Sequence, residues 1–543
     1  MSKVEVLKFG SSVLRSPADL HVAVDEIYRR WRSGRRVIAV VSAFEGVTDA
    51  LMADVADIVG TECPEAMAAY VATGEERTAA LLQGSLHQYG LPSRLVSPRE
   101  IGLVAEGPPL ESMPIHADAI ALERLLELHP ILVLPGFYGV DAEGNISLFG
   151  RGGSDLSALF LAAVLGAQGR LLKDVRGVFD ADPASATAAH RYSALSWGRA
   201  IEVSGPLIQK KALQEALDRG LAFEVGRPNE GACTRVGHTH DMWAPPTPAA
   251  RPLRVALFGC GVVGRGVYET LKRYPQAFEI RHVVVRDVER YPNVERLTTD
   301  AAVALDADVD VAVVCFGDTA LAHSLIAASL NAGKFVATAN KTAVAAHAGA
   351  LTPHTRGEQR RLWYSAAVGG ALPALETLAT LEEPVREIRS IINGTCGVAR
   401  DSADELALMI EAAFGQWIEP NDISTQGIDA IADNPHGYKL VARATKTGRS
   451  VTARIAPERL PPDSFLGASR GPENRLEIEL CSGNVICLRA QGAGRWPTTV
   501  SVLGDLHEIA RRREVAGDWD GYNRQQGHCY SAPASWMTCK RAT

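Results

Sequence analysis

RVALFGCGVVG, Arg254 to Gly264, decides the fold of half this chain. It opens as a short buried-strand pattern, takes up the GxGxxG spacing at Gly259, and runs on as an amphipathic segment through Leu271. Glycines so spaced, closing a strand and opening a helix, meet the structural condition for dinucleotide binding. They give a pyrophosphate access to backbone N–H groups in the field of a helix N-terminus. Gly259, Gly261, Val262, Val263 and Gly264 are therefore candidate cofactor-binding residues. His282 to Val285, Asp310 to Phe316 and Lys334 to Thr338 read as further parallel strands. The first of these ends at Arg286-Asp287, where an acid favours the ribose hydroxyls of NAD and an arginine the 2′-phosphate of NADP. Arg286 together with Arg290 favours NADP, with NAD the alternative.

Immediately upstream lies APPTPAARP, Ala244 to Pro252. Prolines at this density cannot support a regular ladder, so the segment reads as an extended spacer between two bodies. The body before it, residues 1–243, begins with Val4 to Phe9 and Val37 to Ser42 around an amphipathic segment at Ala18 to Arg32. Ile131 to Pro135, Leu156 to Leu165 and Arg170 to Asp174 continue an α/β pattern of helices over a largely parallel sheet. Ligands of such folds collect at the carboxyl ends of the strands. Lys8-Phe9-Gly10-Ser11-Ser12 ends the first strand with a cation and a residue lacking Cβ, suited to a polyphosphate. Gly150-Arg151-Gly152-Gly153-Ser154-Asp155 opens an apolar helix whose N-terminus favours an anion. Arg151 suits a carboxylate or phosphate, and Asp155 either holds an ammonium or caps the helix.

At 543 residues the chain accommodates three or four domains, and a formal charge of -7 with both signs interspersed disfavours nucleic acid as a partner. Nine cysteines without CxxC pairs suit reduced thiols. MSKVEVLKFG has no secretory pattern, and no apolar run approaches the roughly 18–20 residues that span a bilayer. These features predict a cytoplasmic protein without a membrane partner.

KFGSS, VVSAFEGVTD at 40–49, GEER at 74–77, GFYGVDAEGNISLFGRGGSD ending at Asp155, and KDVRGVFDADP at 173–183 follow the order seen in aspartate kinases. Roughly residues 3 to 240 thus resemble the amino acid kinase superfamily. The resemblance implies that Lys8, Gly10 and Ser11 meet the phosphates of ATP, with Mg²⁺ accompanying it, and that Asp174, Phe179 and Asp182 line the nucleotide site. It implies that Ser42, Glu75, Arg151 and Asp155 hold aspartate. Phosphoryl transfer needs positioning and charge neutralisation above all, which suits this set. Two departures stand out. KFGSS is one residue shorter than the family's KFGGTS, and Leu207 occupies the place of the nucleotide-facing lysine of GAKVLHP. Lys210 or Lys211 is left to replace that lysine; otherwise the kinase is impaired.

Downstream of the glycine loop come Thr338-Ala339-Asn340-Lys341, Tyr364 to Pro373 (YSAAVGGALP), Ile392-Asn393-Gly394-Thr395, Ile418-Glu419-Pro420 with Gly427-Ile428-Asp429, and Gly492-Ala493-Gly494. This ordered set resembles homoserine dehydrogenase over roughly residues 253–511. The whole chain then resembles a bifunctional aspartate kinase and homoserine dehydrogenase: an amino acid kinase-type α/β sandwich, then a Rossmann domain with an inserted α+β substrate and dimerisation domain. The implied boundaries are 253–385 for the Rossmann domain, 386–490 for the insertion and 491–513 for the return, with 514–543 a tail of no recognised pattern. Thr338, Asn340 and Gly494 join the cofactor set. Lys341 and Lys439 would hold the substrate oxygen and relay its proton, as such chemistry requires. Glu419 and Asp429 would bind and orient the substrate ammonium, with Gly427, Asn393 and Thr395 lining its site. The substrates implied are aspartate, and aspartate semialdehyde or homoserine; the implied assembly is a homodimer or higher homo-oligomer.

Asn434-Pro435 reads as an N-cap and N1 pair, predicting that a helix starts there and that Asp429 lies on an extended lead-in. The resemblance also implies a sodium site at Val368, Gly370 and Leu372, weakened by Ser365 in place of a glutamate. Bifunctional relatives carry regulatory ACT domains between the two enzymes, where threonine acts. Here 16 residues separate Gly237 from Arg254, too few for such a domain.

Overall fold

The computed structural model describes residues 4–59, 62–184, 189–245, 251–357, 360–392, 399–427 and 437–516. Two compact units divide the chain, Met1–Pro248 and Ala249–Thr543. Asn393, Thr395 and Asp429, residues 246–250 of the spacer, and the tail beyond 516 lie outside the described residues.

The first unit is built on strands β1 (Val4–Phe9), β2 (Arg36–Val41), β3 (Ser93–Leu95), β4 (Ile131–Pro135), β5 (Gln168–Leu172), β6 (Tyr192–Leu195), β7 (Phe223–Gly226), β8 (Cys233–Val236) and β9 (Met242–Trp243). They form one sheet in the order β9-β6-β8-β7-β5-β1-β2-β4-β3. Pairing is parallel except between β7 and β8 and between β6 and β9. The central strands are buried along almost their whole length and mostly apolar because helices cover both faces, with Glu5 and Lys8 of β1 the charged exceptions inside. Helix α1 (Leu20–Arg32) buries Leu20, Val24, Ile27, Tyr28 and Trp31 along one face and ends where Gly34 turns left-handed at φ +81°. Helix α2 (Pro64–Gln88) carries GEER, and helix α3 (Gly153–Val164) is buried over most of its length. Leu156, Leu159 and Phe160 of α3 pack in one core with Val6, Ile38, Val40 and Leu132. Each such side chain contributes about 1.5–3 kcal/mol by leaving water. A short helix α4 (Lys210–Asp218) packs against α3.

The second unit opens with β10 (Leu253–Phe258), α5 (Val262–Leu271), β11 (Phe278–Val284), β12 (Leu297–Thr298), β13 (Val311–Val314), β14 (Phe335–Thr338), α6 (Lys341–Ala345) and β15 (Leu362–Trp363). The sheet order is β12-β11-β10-β13-β14-β15, all parallel. Numbered within the sheet this is 3-2-1-4-5-6, the doubly wound dinucleotide-binding order. A second sheet of β16 (Val385–Ile391), β17 (Ser424–Thr425), β18 (Tyr438–Thr447), β19 (Ser450–Arg459), β20 (Glu473–Leu480) and β21 (Val485–Gln491) runs in the order β17-β19-β18-β16-β20-β21. Helix α7 (Ala399–Phe414) packs on β18 and on α6. Helix α8 (Arg495–Ala516) then places Val502, Leu503, Leu506 and Ile509 in the core around Leu253 and Val255 of β10.

One expectation fails here. Asn434-Pro435 lies outside the described residues, but the described chain beyond it holds no helix there and enters strand β18 at Tyr438. YKLVARATKT pairs residue for residue with β19, from Tyr438 opposite Arg459 to Thr447 opposite Ser450. The hairpin closes through Gly448 at φ +61°. Ten paired residues outweigh the local preference of an Asn-Pro cap, and Lys439 is therefore a strand residue.

Asp310, just before β13, ties the start of the second unit to helix α8. Its carboxylate accepts from Arg251 at 2.7 Å, Arg254 at 3.0 Å and Arg513 at 3.0 Å. Burial would raise its pKa, but the arginines hold it at about 2. A carboxyl depressed from its unfolded value stabilises the fold above about pH 4, and loses that contribution as pH falls towards 2. Asp310→Asn should therefore lower stability at pH 7 by about 2–3 kcal/mol and flatten the acid limb of a denaturation profile. Wild type and variant with equal melting points at pH 7 would refute this.

Candidate functional sites

In the first unit, three side chains converge at the carboxyl ends of β1 and β5. Lys8 on β1 reaches Asp155 Oδ1 at 2.8 Å, and Lys173, the residue after β5, reaches Asp155 Oδ2 at 2.8 Å. All three are buried. Asp155 stands in the first turn of α3, and the N-cap is Gly152 at φ +75°, so Asp155 holds ammoniums and does not cap the helix. Burial would raise the carboxyl's pKa; the two lysines override that and hold it at about 2. Burial pulls the Lys8 ammonium below its ordinary value, and Asp155 opposes that shift. A Cβ at Gly10 would fall 2.8 Å from Lys8 Nζ and crowd the ammonium in this position.

Glu75 of α2 accepts from the Ala43 N–H at 3.1 Å, and burial pushes its carboxyl to about 7. Gly74 allows the approach: a Cβ there would lie 3.1 Å from that of Ala43. Ser42 is half-buried and donates its N–H to the Phe9 carbonyl, while Ser11 and Arg151 are exposed at the ends of their loops. Asp174 and Asp182 are exposed and Phe179 half-buried on the stretch after β5, where the Asp174 carbonyl accepts from Arg227. Leu207 packs against the core. Lys211 donates to Glu111 at 2.7 Å and to the Phe149 carbonyl, so it braces the loop at 149–152; Lys210 is exposed.

In the second unit, the glycines divide the work as the spacing predicts. Gly259 has φ +89°, and a Cβ there would sit 2.8 Å from the Cys315 carbonyl oxygen. A Cβ on Gly264 would lie 1.9 Å from the Gly259 carbonyl oxygen, whereas one on Gly261 would meet open space. Two glycines thus permit close packing, and the third leaves a cradle for a pyrophosphate. Val262 is 70% exposed beside that cradle, and Val263 is half-buried. Arg286 is exposed beyond the end of β11, while Asp287 caps the following turn through the Glu289 N–H. Thr338 and Asn340 are engaged internally: Thr338 donates to the Val314 carbonyl at 3.2 Å and Asn340 to that of Phe316 at 2.8 Å. Gly494, at φ +129°, precedes α8.

Lys341 begins α6, with its ammonium 3.1 Å from Glu405 and 3.2 Å from Asp401, both on α7. Glu405 also accepts from the Gly369 N–H at 3.0 Å, tying the lysine to the GGALP turn. Burial would lower the Lys341 pKa; the two carboxylates more than offset it, and the lysine stays above its ordinary value. Lys439 donates to the Ser469 carbonyl at 3.0 Å, and exposed Glu419 accepts from the Trp417 indole at 2.9 Å. Gly427 is half-buried. Val368 and Leu372 are buried, Gly370 has φ +66°, and the Leu372 carbonyl accepts from the Ala374 N–H at 2.8 Å. Ser365, where a glutamate was expected, donates to Glu376.

Residues 3–217 match the amino acid kinase family, residues 259–365 the homoserine dehydrogenase NAD-binding domain, and residues 398–507 the homoserine dehydrogenase family. Both matches stand on one chain, side by side in sequence. An aspartokinase of Pseudomonas aeruginosa is 29% identical over 210 residues, 38% of this chain and 50% of the relative. The chain thus spans about half the length of that relative. A homoserine dehydrogenase of Corynebacterium glutamicum is 26% identical over 324 residues, 48% of this chain and 73% of the relative. The solved homoserine dehydrogenase of Thiobacillus denitrificans is 22% identical with a TM-score of 0.45, covering 49% of this chain and 74% of that one. No helix among the described residues is long and apolar enough to cross a membrane.

Sequence reasoning missed Lys173, Asp401 and Glu405. Lys173 carried a signal, a charge closing a buried apolar strand, whereas Asp401 and Glu405 stand in the charge-rich ARDSADEL, where nothing local marks them. A buried charge demands a partner.

Proposed function

We propose that the chain is bifunctional. The kinase-family unit would transfer the γ-phosphoryl group of ATP to the β-carboxylate of aspartate, giving 4-phospho-aspartate. The dehydrogenase unit would reduce aspartate semialdehyde to homoserine with a nicotinamide cofactor. The observation that carries the first half is the Lys8–Asp155–Lys173 cluster, which puts buried positive charge where an α/β fold binds ligands. Glu75 and Arg151 remain to hold the aspartate, and Mg²⁺ would arrive with the nucleotide. For the second half it is Lys341, an ammonium fixed by Glu405 on the dehydrogenase unit that also carries the glycine cradle. NADP is favoured over NAD because Arg286 stands exposed past β11, while the Asp287 carboxylate is engaged in its own turn. A cytoplasmic homo-oligomer is the setting proposed for both reactions.

Two assays on the purified chain test this. Hydroxylamine trapping should detect aspartyl phosphate made from ATP and aspartate, and NADPH should be oxidised with aspartate semialdehyde. Absence of the second activity would end the dehydrogenase reading. NADPH oxidation without hydroxamate would make the first unit an inactive kinase-derived domain, the reading that Leu207 favours.

A further inference from the structure

We propose that Lys173 is a second phosphate-facing cation, gripping the transferring phosphoryl group opposite Lys8. This rests on the phosphotransferase reading above. The two lysines approach Asp155 from adjacent parallel strands and take one carboxylate oxygen each, both at 2.8 Å. One carboxylate between two ammoniums leaves a positive charge in excess, at a place where all three residues are less than a tenth exposed. Buried excess charge is costly until a counter-ion answers it. Glu75 answers it only in part, because burial holds its carboxyl near pKa 7. Its Oε2 is buried with no hydrogen-bond partner among the described residues. The first turn of α3 adds its own preference for an anion at the same spot.

Lys173 is fixed for this role by its backbone, whose N–H donates to the Gly226 carbonyl at 2.9 Å and so extends the β5–β7 pairing. No other cation takes this place: Lys211 braces Glu111 and Phe149, and Leu207, where the family has a lysine, packs against the core and carries no charge. In the transfer, an oxygen of the ionised aspartate β-carboxylate bonds to the γ-phosphorus as the bond to the oxygen bridging to the β-phosphate breaks, and ADP leaves with that electron pair. Neither lysine loses a proton. Their ammoniums neutralise the non-bridging oxygens throughout.

The test uses the full chain with MgAMP-PNP in titration calorimetry and hydroxylamine trapping for turnover. Lys173→Met should weaken MgAMP-PNP by about tenfold to a hundredfold and depress turnover further, while KM for aspartate changes by less than about threefold. Lys173→Arg, which keeps the charge, should recover most of the nucleotide affinity. A Lys173→Met chain that binds and turns over as wild type overturns the assignment. So does an Arg variant that melts like wild type yet binds as poorly as the Met variant. If wild type forms no hydroxamate but Lys173→Met still loses MgAMP-PNP affinity, the phosphotransferase reading fails and the cation assignment stands. If hydroxamate forms equally in both, the reading stands and the assignment fails.

Discussion

Asp155→Asn should abolish the proposed aspartate phosphorylation and destabilise the first unit by about 3–5 kcal/mol, the cost of leaving buried charges without their partner. The amide preserves shape but cannot neutralise the two ammoniums that contact the carboxylate at 2.8 Å. Lys8, already pulled below its ordinary pKa by burial, would be driven lower once Asp155 no longer opposes that shift. A lysine with a depressed folded pKa destabilises the fold below that value. The variant should therefore gain stability as pH rises from the lowered folded pKa towards the unfolded lysine value near 10.4. Wild type shows the opposite limb: Asp155, held at about 2, contributes fully above about pH 4 and loses its contribution as pH falls to 2. Chemical denaturation of both proteins between pH 3 and 10 separates the two slopes. A variant that unfolds like wild type across that range, or still forms hydroxamate, would show that Asp155 does not organise the site.

The glycine loop was legible because Gly259 and Gly264 answer local steric demands and Gly261 leaves room for a ligand, a division that spacing alone reveals. Gly264 must be glycine where a Cβ would lie 1.9 Å from the Gly259 carbonyl oxygen, and that demand is written in GxGxxG. The strands around it were legible for the same local reason. Lys173 was hidden because its role depends on β5 lying beside β1, a pairing of residues more than 160 positions apart that no short window contains. Glu405 was hidden likewise, since its partners Lys341 and Gly369 come from other segments. The cap signal at Asn434-Pro435 misled because it is a local preference, and the β18–β19 hairpin is stabilised over its whole length. Local chemistry was thus readable from the sequence, and ion pairs between distant segments were not.

Lys341→Ala should lower the proposed reduction of aspartate semialdehyde by about 10²–10⁴-fold, the range a positioned proton donor contributes. Glu405 and Asp401 hold Lys341 above its ordinary pKa, so it remains an ammonium at neutral pH, the form that can protonate a developing alkoxide. Reduction by wild type should accordingly show no titration from this lysine up to about pH 10. Oxidation of homoserine needs the amine form and should rise with pH through that range. The substitution also leaves the Glu405 carboxylate buried beside the Gly369 N–H without its cation. A loss of activity could then reflect a damaged fold. Lys341→Ala combined with Glu405→Gln separates the two, because the neutral amide removes the unpaired charge and should restore the melting point. If the double variant regains stability but stays inactive, the ammonium itself is required; if it regains activity as well, Lys341 serves only to neutralise Glu405.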